Sequence, residues 1–244
     1  MNLEKIKRQK RFITLFYFLS LVIIIGLFIA FTIPKNLSPW TNILFFLILI
    51  TLFFLSLYFK PKIDHLNRQE RLLLLLEEEQ FPVKFKQDVY GRHWPQNVLT
   101  KGNYLRKEDN DEFLVLYKTD KDPYKPKRKK QRILEVIVIF KKETSSFSDF
   151  NLNAIINDLE KEHLLNLKQK RIVVLKFMPV ENFHEKTIHK VKDIDYRKVK
   201  NAYYLTLNVA INIKSKQALY VDGENAAYIF YYNYLKKLLH KYLH

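Results

Sequence analysis

The strongest constraint on this chain is a pair of long uncharged segments near its amino end. Residues 12–33 form a run of 22 residues and residues 41–59 form a run of 19, and neither contains Asp, Glu, Lys, Arg or His. As an α-helix the first run is about 33 Å long, enough to cross a hydrocarbon core of about 30 Å. Backbone polar groups in lipid must be paired within their own segment, so both runs are predicted to be transmembrane helices.

The charges around these runs predict how the hairpin is oriented. Five basic residues lie within 1–11, four lie within 60–71, and the connecting residues 34–40 contain Lys35 alone. The positive-inside rule therefore predicts a two-span protein of the cell membrane with both termini in the cytoplasm. A cleaved signal peptide is the competing interpretation of the first run, but the apolar core of such a peptide is normally about 7–15 residues long.

The uncharged spans favour an anchor over a pathway. Channels and ion-coupled transporters usually place ionisable groups inside the membrane, and neither run has any. Ser20, Gly26 and Ala30 are small enough to let helices approach closely, so association within the membrane is left open.

The remaining residues divide into a helix and a folded domain. We predict a basic cytoplasmic arm at 1–11, the hairpin at 12–59, a juxtamembrane helix at 60–80 and a cytoplasmic α+β domain at 81–244, with a largely antiparallel sheet and flanking helices. Helices are predicted at 152–159 and 224–243, while 186–200 is left open between a short helix and a loop. Apolar runs predict strands at 83–89, 113–117, 133–140, 172–177, 205–213 and 218–221.

Two of these strands carry further information. Residues 133–140 are almost continuously apolar, which is typical of a central strand that is covered on both faces. Residues 205–213 alternate between large apolar and mostly polar side chains. That period of two predicts one face in the core and one polar face.

A strongly basic stretch lies between two of the predicted strands and is interpreted as a hairpin loop. A solvated turn is one reading of such a charge run. Anionic lipid headgroups are a second, since each basic residue close to an anionic leaflet contributes about 1 kcal/mol. Nucleic acid is a third, and it is less favoured because a tethered domain meets the bilayer first. The candidate polyanion-binding residues are Lys125, Lys127, Arg128, Lys129, Lys130 and Arg132.

An acidic cluster precedes the first strand of that hairpin. Its members do not fit the ligand spacing of a calcium loop, so a solvated turn is expected. Lys141 and Lys142 follow the returning strand and are expected to neutralise the cluster in part. The cluster consists of Glu108, Asp109, Asp111 and Glu112.

Composition excludes several kinds of chemistry. The chain has no cysteine, which excludes disulfides, thiolate zinc sites and cysteine nucleophiles. It has four glycines, none of them clustered as a P-loop or a dinucleotide fingerprint requires. We therefore predict no catalytic residue, no metal and no cofactor, although His184 and His189 are weak candidates for metal ligands.

Glu135 is an acid within the almost continuously apolar strand predicted at 133–140. It resembles the strand-borne acid of some nucleases, but the matching acid–x–Lys spacing is absent. An edge position or a nearby lysine partner is the simpler expectation. Eight tyrosines near the carboxyl end are expected at the core and its rim, a role that aromatic side chains commonly fill. They are Tyr203, Tyr204, Tyr220, Tyr228, Tyr231, Tyr232, Tyr234 and Tyr242.

The sequence supports two functional hypotheses. The first is a non-enzymatic membrane-anchored scaffold or subunit of a bacterial envelope, secretion or conjugation assembly, with a protein partner or a second copy of itself. The second is a ligand-gated two-span effector or sensor whose cytoplasmic domain binds an anionic small molecule such as a nucleotide. A nuclease or lipid-modifying enzyme is a weaker third, since only Glu135 and the basic stretch favour it.

Overall fold

The computed structural model describes residues 3–32, 39–91, 93–124, 132–161, 171–199 and 202–243. The chain forms two compact units, residues 1–74 and residues 75–244. The boundary falls inside the predicted juxtamembrane helix, a few residues before its end.

The first unit is a helical hairpin. Helix α1 spans Leu3–Thr32, and helix α2 spans Pro39–Glu77, its last turn belonging to the second unit. Near the start of α1, Lys10 Nζ lies 2.6 Å from Glu70 Oε2, and the Tyr17 ring lies 5.7 Å from that of Phe59. These pairs show that the helices run antiparallel. Helix α2 continues through Pro61 and ends at Glu77, so the second apolar run and most of the segment 60–80 form one helix.

Both helices are long and apolar enough to cross a membrane. Only 6% of either apolar window is buried within the structure, whereas the core helix of a soluble protein is mostly buried. Large apolar side chains such as Phe12 and Phe46 are instead exposed. The mixed α+β architecture with two apolar helices at the amino end thus agrees with the sequence analysis.

The second unit is built on one eight-stranded sheet. Its order is β1-β8-β7-β5-β4-β3-β2. Strand β6 also pairs with β7, at residues 202–205, whereas β8 pairs with residues 209–212 of β7. The pairs β4-β5 and β5-β7 are parallel and the other five are antiparallel. The strands are β1 Val83–Lys84, β2 Leu105–Asp109, β3 Phe113–Lys121, β4 Arg132–Phe140, β5 Arg171–Pro179, β6 Tyr196–Val199, β7 Ala202–Asn212 and β8 Gln217–Tyr220.

The sheet is largely antiparallel, as predicted, but its three central strands are parallel. Two strands, β2 and β6, and one helix, α3, were not predicted, because their sequences are short and mostly polar. The open segment 186–200 contains both a helix and a strand. The helices of this unit are α3 His93–Gly102, α4 Leu152–Lys161, α5 Glu185–Lys192 and α6 Phe230–Leu243, with 3₁₀ helices at Phe147–Asp149 and Glu224–Tyr228.

Helices cover both faces of the sheet. On one face, Val138 and Val174 pack in a core cluster with residues of the first 3₁₀ helix, α4 and α5, such as Ile156. On the other face, the Trp94 ring of α3 meets Phe177 edge-on at 5.5 Å, and α6 packs over β5 and β7. Strand β4 is consequently buried from Ile133 to Phe140, which confirms the expectation that it is covered on both faces.

The alternating strand departs from its prediction. Residues 204–212 of β7 are buried on both faces, including the polar Thr206, Asn208 and Asn212. The alternation of side-chain type is present, but the polar face lies inside the protein. The predicted polar face is therefore present, but it is buried within the protein.

Glu135 lies fully buried on the face that α3 and α6 cover. Its carboxylate accepts hydrogen bonds from Tyr104 Oη at 2.5 Å and Tyr234 Oη at 2.6 Å, and Lys118 Nζ lies 3.4 Å away. Burial raises the pKa of both tyrosines above the usual range, so their hydroxyls keep the protons that they donate. A lysine partner is confirmed. An edge position is wrong, because β4 lies between β3 and β5.

We predict that Glu135→Leu lowers the free energy of unfolding by about 3–5 kcal/mol, since it leaves two tyrosine hydroxyls without their acceptor and removes one of the two carboxylates beside the half-buried Lys118 ammonium. Glu135→Gln keeps one acceptor oxygen and is expected to cost less, about 1–3 kcal/mol. Denaturant unfolding of the detergent-solubilised chain measures both. Glu112→Leu, at an exposed position, is the matched control, and equal stability of the two leucine variants would contradict the cluster's role.

Candidate functional site

A polar patch interrupts the apolar face of the sheet that α4 and α5 cover. Lys176 on β5 and Asn208 on β7 are neighbours in the parallel register, and Thr206 lies two residues before Asn208. All three are buried. Central parallel strands are normally apolar on both faces, so a buried ammonium and amide at this place require partners.

The patch is hydrogen-bonded to the segments that cross above it. Lys176 Nζ donates to the Phe147 carbonyl at 2.8 Å. Asn208 Nδ2 donates to the Asp193 carbonyl at 2.7 Å, and Thr206 Oγ1 accepts from the Asp195 amide at 2.8 Å. The polar side chains thereby hold the 3₁₀ helix and the segment after α5 over the sheet.

One atom of the patch has no such partner. Asn208 Oδ1 is buried and accepts no hydrogen bond from any residue that the structure describes. A buried acceptor without a donor costs about 1–3 kcal/mol. This oxygen lies next to Lys176 across the β5–β7 ladder, so the patch retains capacity for one more donor.

A cavity of about 620 Å³ opens beside Lys176. This volume is in the range of small-molecule sites, about 300–1,000 Å³. Charged residues of both signs face it, together with the residues at the start of α4. Its lining includes Lys176, Arg197, Asp193, Asp195, Ser148 and Asn153.

The charges of the cavity are coupled. Burial lowers the pKa of Lys176 to about 8, although Asp195 and Asp193 oppose the shift. Burial likewise raises the pKa of Asp195, against the attraction of Arg197 and Lys176. Arg197 Nε lies 2.8 Å from Asp195 Oδ2, and Ser148 Oγ donates to Asp193 Oδ2 at 2.8 Å. The cavity can therefore offer both cationic donors and carboxylate acceptors to a bound molecule.

The predicted polyanion site lies mostly outside the described residues. Only Arg132 is described. It begins β4, is exposed, and stands opposite Lys121 in the antiparallel register. That register shows that β3 and β4 form an antiparallel pair, while the basic stretch 125–131 between them lies outside the described residues. Binding of lipid or nucleic acid by Lys125, Lys127, Arg128, Lys129 and Lys130 stays a prediction.

The acidic cluster lies at the opposite end of the same hairpin. Register pairs run from Phe113↔Phe140 to Lys121↔Arg132, a separation of about 27 Å. Lys141 Nζ lies 2.8 Å from Asp109 Oδ1, which confirms the expected neutralisation. Asp109 closes β2 rather than lying in a turn.

The histidines do not form a recognisable metal site in the part of the chain that the structure describes, where no group of three or more His, Cys, Asp or Glu side chains could hold a metal. His184 caps α5 without a side-chain hydrogen bond, and His189 lies 4.0 Å from Glu185 on the exposed surface of α5.

The tyrosines near the carboxyl end lie in the core and its rim, as predicted, except Tyr228. Tyr232 is fully buried and its hydroxyl donates to the Val221 carbonyl. Tyr228 and the adjacent Phe230 are about 60% exposed, and the Phe230 ring stacks on Tyr124 at 5.4 Å. We call Tyr124, Tyr228 and Phe230 the aromatic patch.

Local sequence pattern alone does not identify the cavity residues. A single lysine within the apolar run of β5 is the available signal, and the period of two in β7 does not show that its polar face is buried. Asp193 and Asp195 lie within the segment 186–200, where nothing in the local pattern connects them with Lys176.

We predict that Lys176 makes stability rise with pH between about 8 and 10. In that interval the unfolded lysine still binds a proton while Lys176 in the native state loses it, so the unfolded state holds more protons and the free energy of unfolding increases. Relative to Lys176→Met, the wild type should gain about 2 kcal/mol between pH 7.5 and 10. Denaturant unfolding of both proteins across this range measures the difference. Ionisation of the tyrosines changes the unfolding free energy of both proteins equally. Parallel curves of unfolding free energy against pH would contradict a lowered pKa of Lys176.

Comparison with known proteins identifies no relative. No family model, no curated protein and no solved structure matches the chain. The function of the cavity therefore rests on its residues alone.

Proposed function

We propose that this chain is a membrane-anchored sensor or effector whose α+β domain binds a small molecule. The helices α1 and α2 hold it in the cell membrane with both termini in the cytoplasm. The cavity beside Lys176 receives a ligand with an anionic group, such as a nucleotide.

One observation carries the proposal: a cavity of ligand size opens where buried polar groups interrupt a central apolar sheet. Lys176 and Arg197 provide cationic donors for an anionic group. The unpartnered Asn208 Oδ1 lies on the same face. The Glu135 carboxylate on the opposite face, by contrast, accepts from Tyr104 and Tyr234 and lies beside Lys118.

The end of α2 is connected to the cavity within the second unit. Lys192 is the last residue of α5, and its Nζ donates to the Glu78 carbonyl, one residue after α2, at 3.3 Å. Its neighbour Asp193 lines the cavity. The Glu78 carboxylate accepts from Asn225 Nδ2 at 2.7 Å, and a Cβ at Gly223 would overlap it. A ligand that moves Asp193 therefore also affects the contacts that hold the end of α2.

We expect an anionic mononucleotide to stabilise the chain against thermal unfolding, by about 2.7 kcal/mol at a ligand concentration of 100 Kd. Thermal shift of the full chain in detergent against GMP, AMP, CMP and UMP measures this. Lys176→Met should abolish the shift, because it removes the buried ammonium. Lys237→Met, at an exposed position of α6, should leave it unchanged. No shift with any nucleotide, or an unchanged shift in Lys176→Met, would contradict the proposal.

We expect the hairpin to place its turn outside the cell. The chain has no cysteine, so single cysteines report cleanly on accessibility. A membrane-impermeant maleimide should label Ser38→Cys on intact cells and Ser215→Cys only after permeabilisation. Ser215 is an exposed residue of the β7–β8 turn. Labelling of Ser215→Cys on intact cells would exclude the orientation, and full-length chain in the supernatant after ultracentrifugation without detergent would exclude the anchor.

A scaffold or subunit role is the second candidate, and the aromatic patch favours it. Exposed aromatic side chains are enriched where proteins contact one another. A partner protein or a second copy of the chain could cover Tyr228 and Phe230. If no nucleotide stabilises the chain while Phe230→Ala abolishes its self-association, the scaffold is the better explanation.

A further inference from the structure

The inference below rests on the proposed function and concerns the chemistry of the ligand. We propose that the cavity selects a dipolar molecule, one that brings an anionic group to Lys176 and Arg197 and N–H donors to Asp193 and Asp195. Among mononucleotides this chemistry favours a guanine base.

The cavity carries balanced charges. Two cations and two carboxylates line the same cavity. Their formal charges cancel, so a simple anion gains little net attraction and meets repulsion from the carboxylates. A molecule with groups of both polarities gains from each pair.

The acceptors that face the cavity are the carboxylates of Asp193 and Asp195. Ser148 and Arg197 each approach one oxygen, Oδ2, of Asp193 and of Asp195 respectively. A carboxylate offers about four acceptor sites, so both acids can take further donors. Donor groups on the ligand suit this side of the site.

Lys176 and Arg197 form the cationic side of the cavity. An ammonium has three donors, and Lys176 gives one to Phe147. Arg197 shares its guanidinium between Asp195 and Asn153, the latter at 3.3 Å. Both keep further N–H groups for an anionic oxygen. The positive end of the α4 dipole lies beside them, because Asn153 in the first turn of α4 also lines the cavity.

Size and hydrogen-bond geometry then narrow the ligand. A cavity of about 620 Å³ suits a mononucleotide better than a free amino acid, which has the same two polarities. Guanine presents N1–H and the exocyclic amino group side by side, which matches the two oxygens of a carboxylate as an arginine fork does. Uracil presents one N–H between two carbonyl oxygens, which a carboxylate repels.

The test is calorimetric titration of the full chain in detergent with GMP, IMP, UMP and inorganic phosphate. IMP lacks only the exocyclic amino group, so it is the matched probe. We expect GMP to bind at least tenfold more tightly than IMP or phosphate, because a hydrogen bond to a charged group is worth about 1.5–3 kcal/mol.

Variants that neutralise one carboxylate distinguish a dipolar site from a simple anion site. Asp193→Asn and Asp195→Asn should weaken GMP binding at least tenfold and leave phosphate binding equal or stronger. Asp111→Asn, an exposed residue at the acidic end of the β3–β4 hairpin, should change neither. If both cavity variants bind GMP and phosphate more tightly, the site is a simple anion site: the inference fails and the proposed function stands. If no probe binds, both fail.

Discussion

The structure depends on a constraint that parallel strands impose on their side chains. Strands β4, β5 and β7 lie side by side in the middle of the sheet, with helices on both faces. A polar group in the buried middle of these strands therefore cannot reach bulk solvent, and it needs a partner inside the protein. The chain nevertheless places Glu135 on one face and Lys176 with Asn208 on the other. The hydrogen-bond partners of these groups distinguish a structural cluster from the candidate site.

The buried polar groups on the two faces of the sheet have different sets of partners. Glu135 is enclosed by Tyr104, Tyr234 and Lys118, so its carboxylate has a complete set of protein partners. Such a cluster fixes the packing of α3 and α6 and has no evident vacancy for a ligand atom. Lys176 has one backbone carbonyl, an unpartnered amide oxygen as its neighbour, and a cavity beside it. The nuclease-like reading of Glu135 therefore finds no support in its surroundings, whereas the unremarked lysine lies at the candidate site.

Sequence pattern anticipated what depends on local chemistry. The apolar helices, the central strand 133–140 and the β3–β4 hairpin follow directly from runs of side chains, and all are present. The parallel pairing of β4, β5 and β7 was missed, because strand order depends on contacts between distant residues. The burial of Thr206 and Asn208 was not predicted, for a related reason. An alternating strand looks the same whether its polar face meets water or a buried lysine, and only the fold brings Lys176 to the neighbouring strand.

On the proposed function, the contacts around Lys192 would let a ligand and the end of α2 influence one another. Asp193 lines the cavity, and the residue before it, Lys192, binds the backbone just beyond α2. If occupancy of the cavity favours one position of this segment, it favours one position of the α2 end. Thermodynamic linkage then requires the reverse: any arrangement of the helices that shifts Glu78 changes the affinity for ligand by the same factor. Association of the hairpins in the membrane, or their separation, would thus tune a binding site in the attached domain without contacting it.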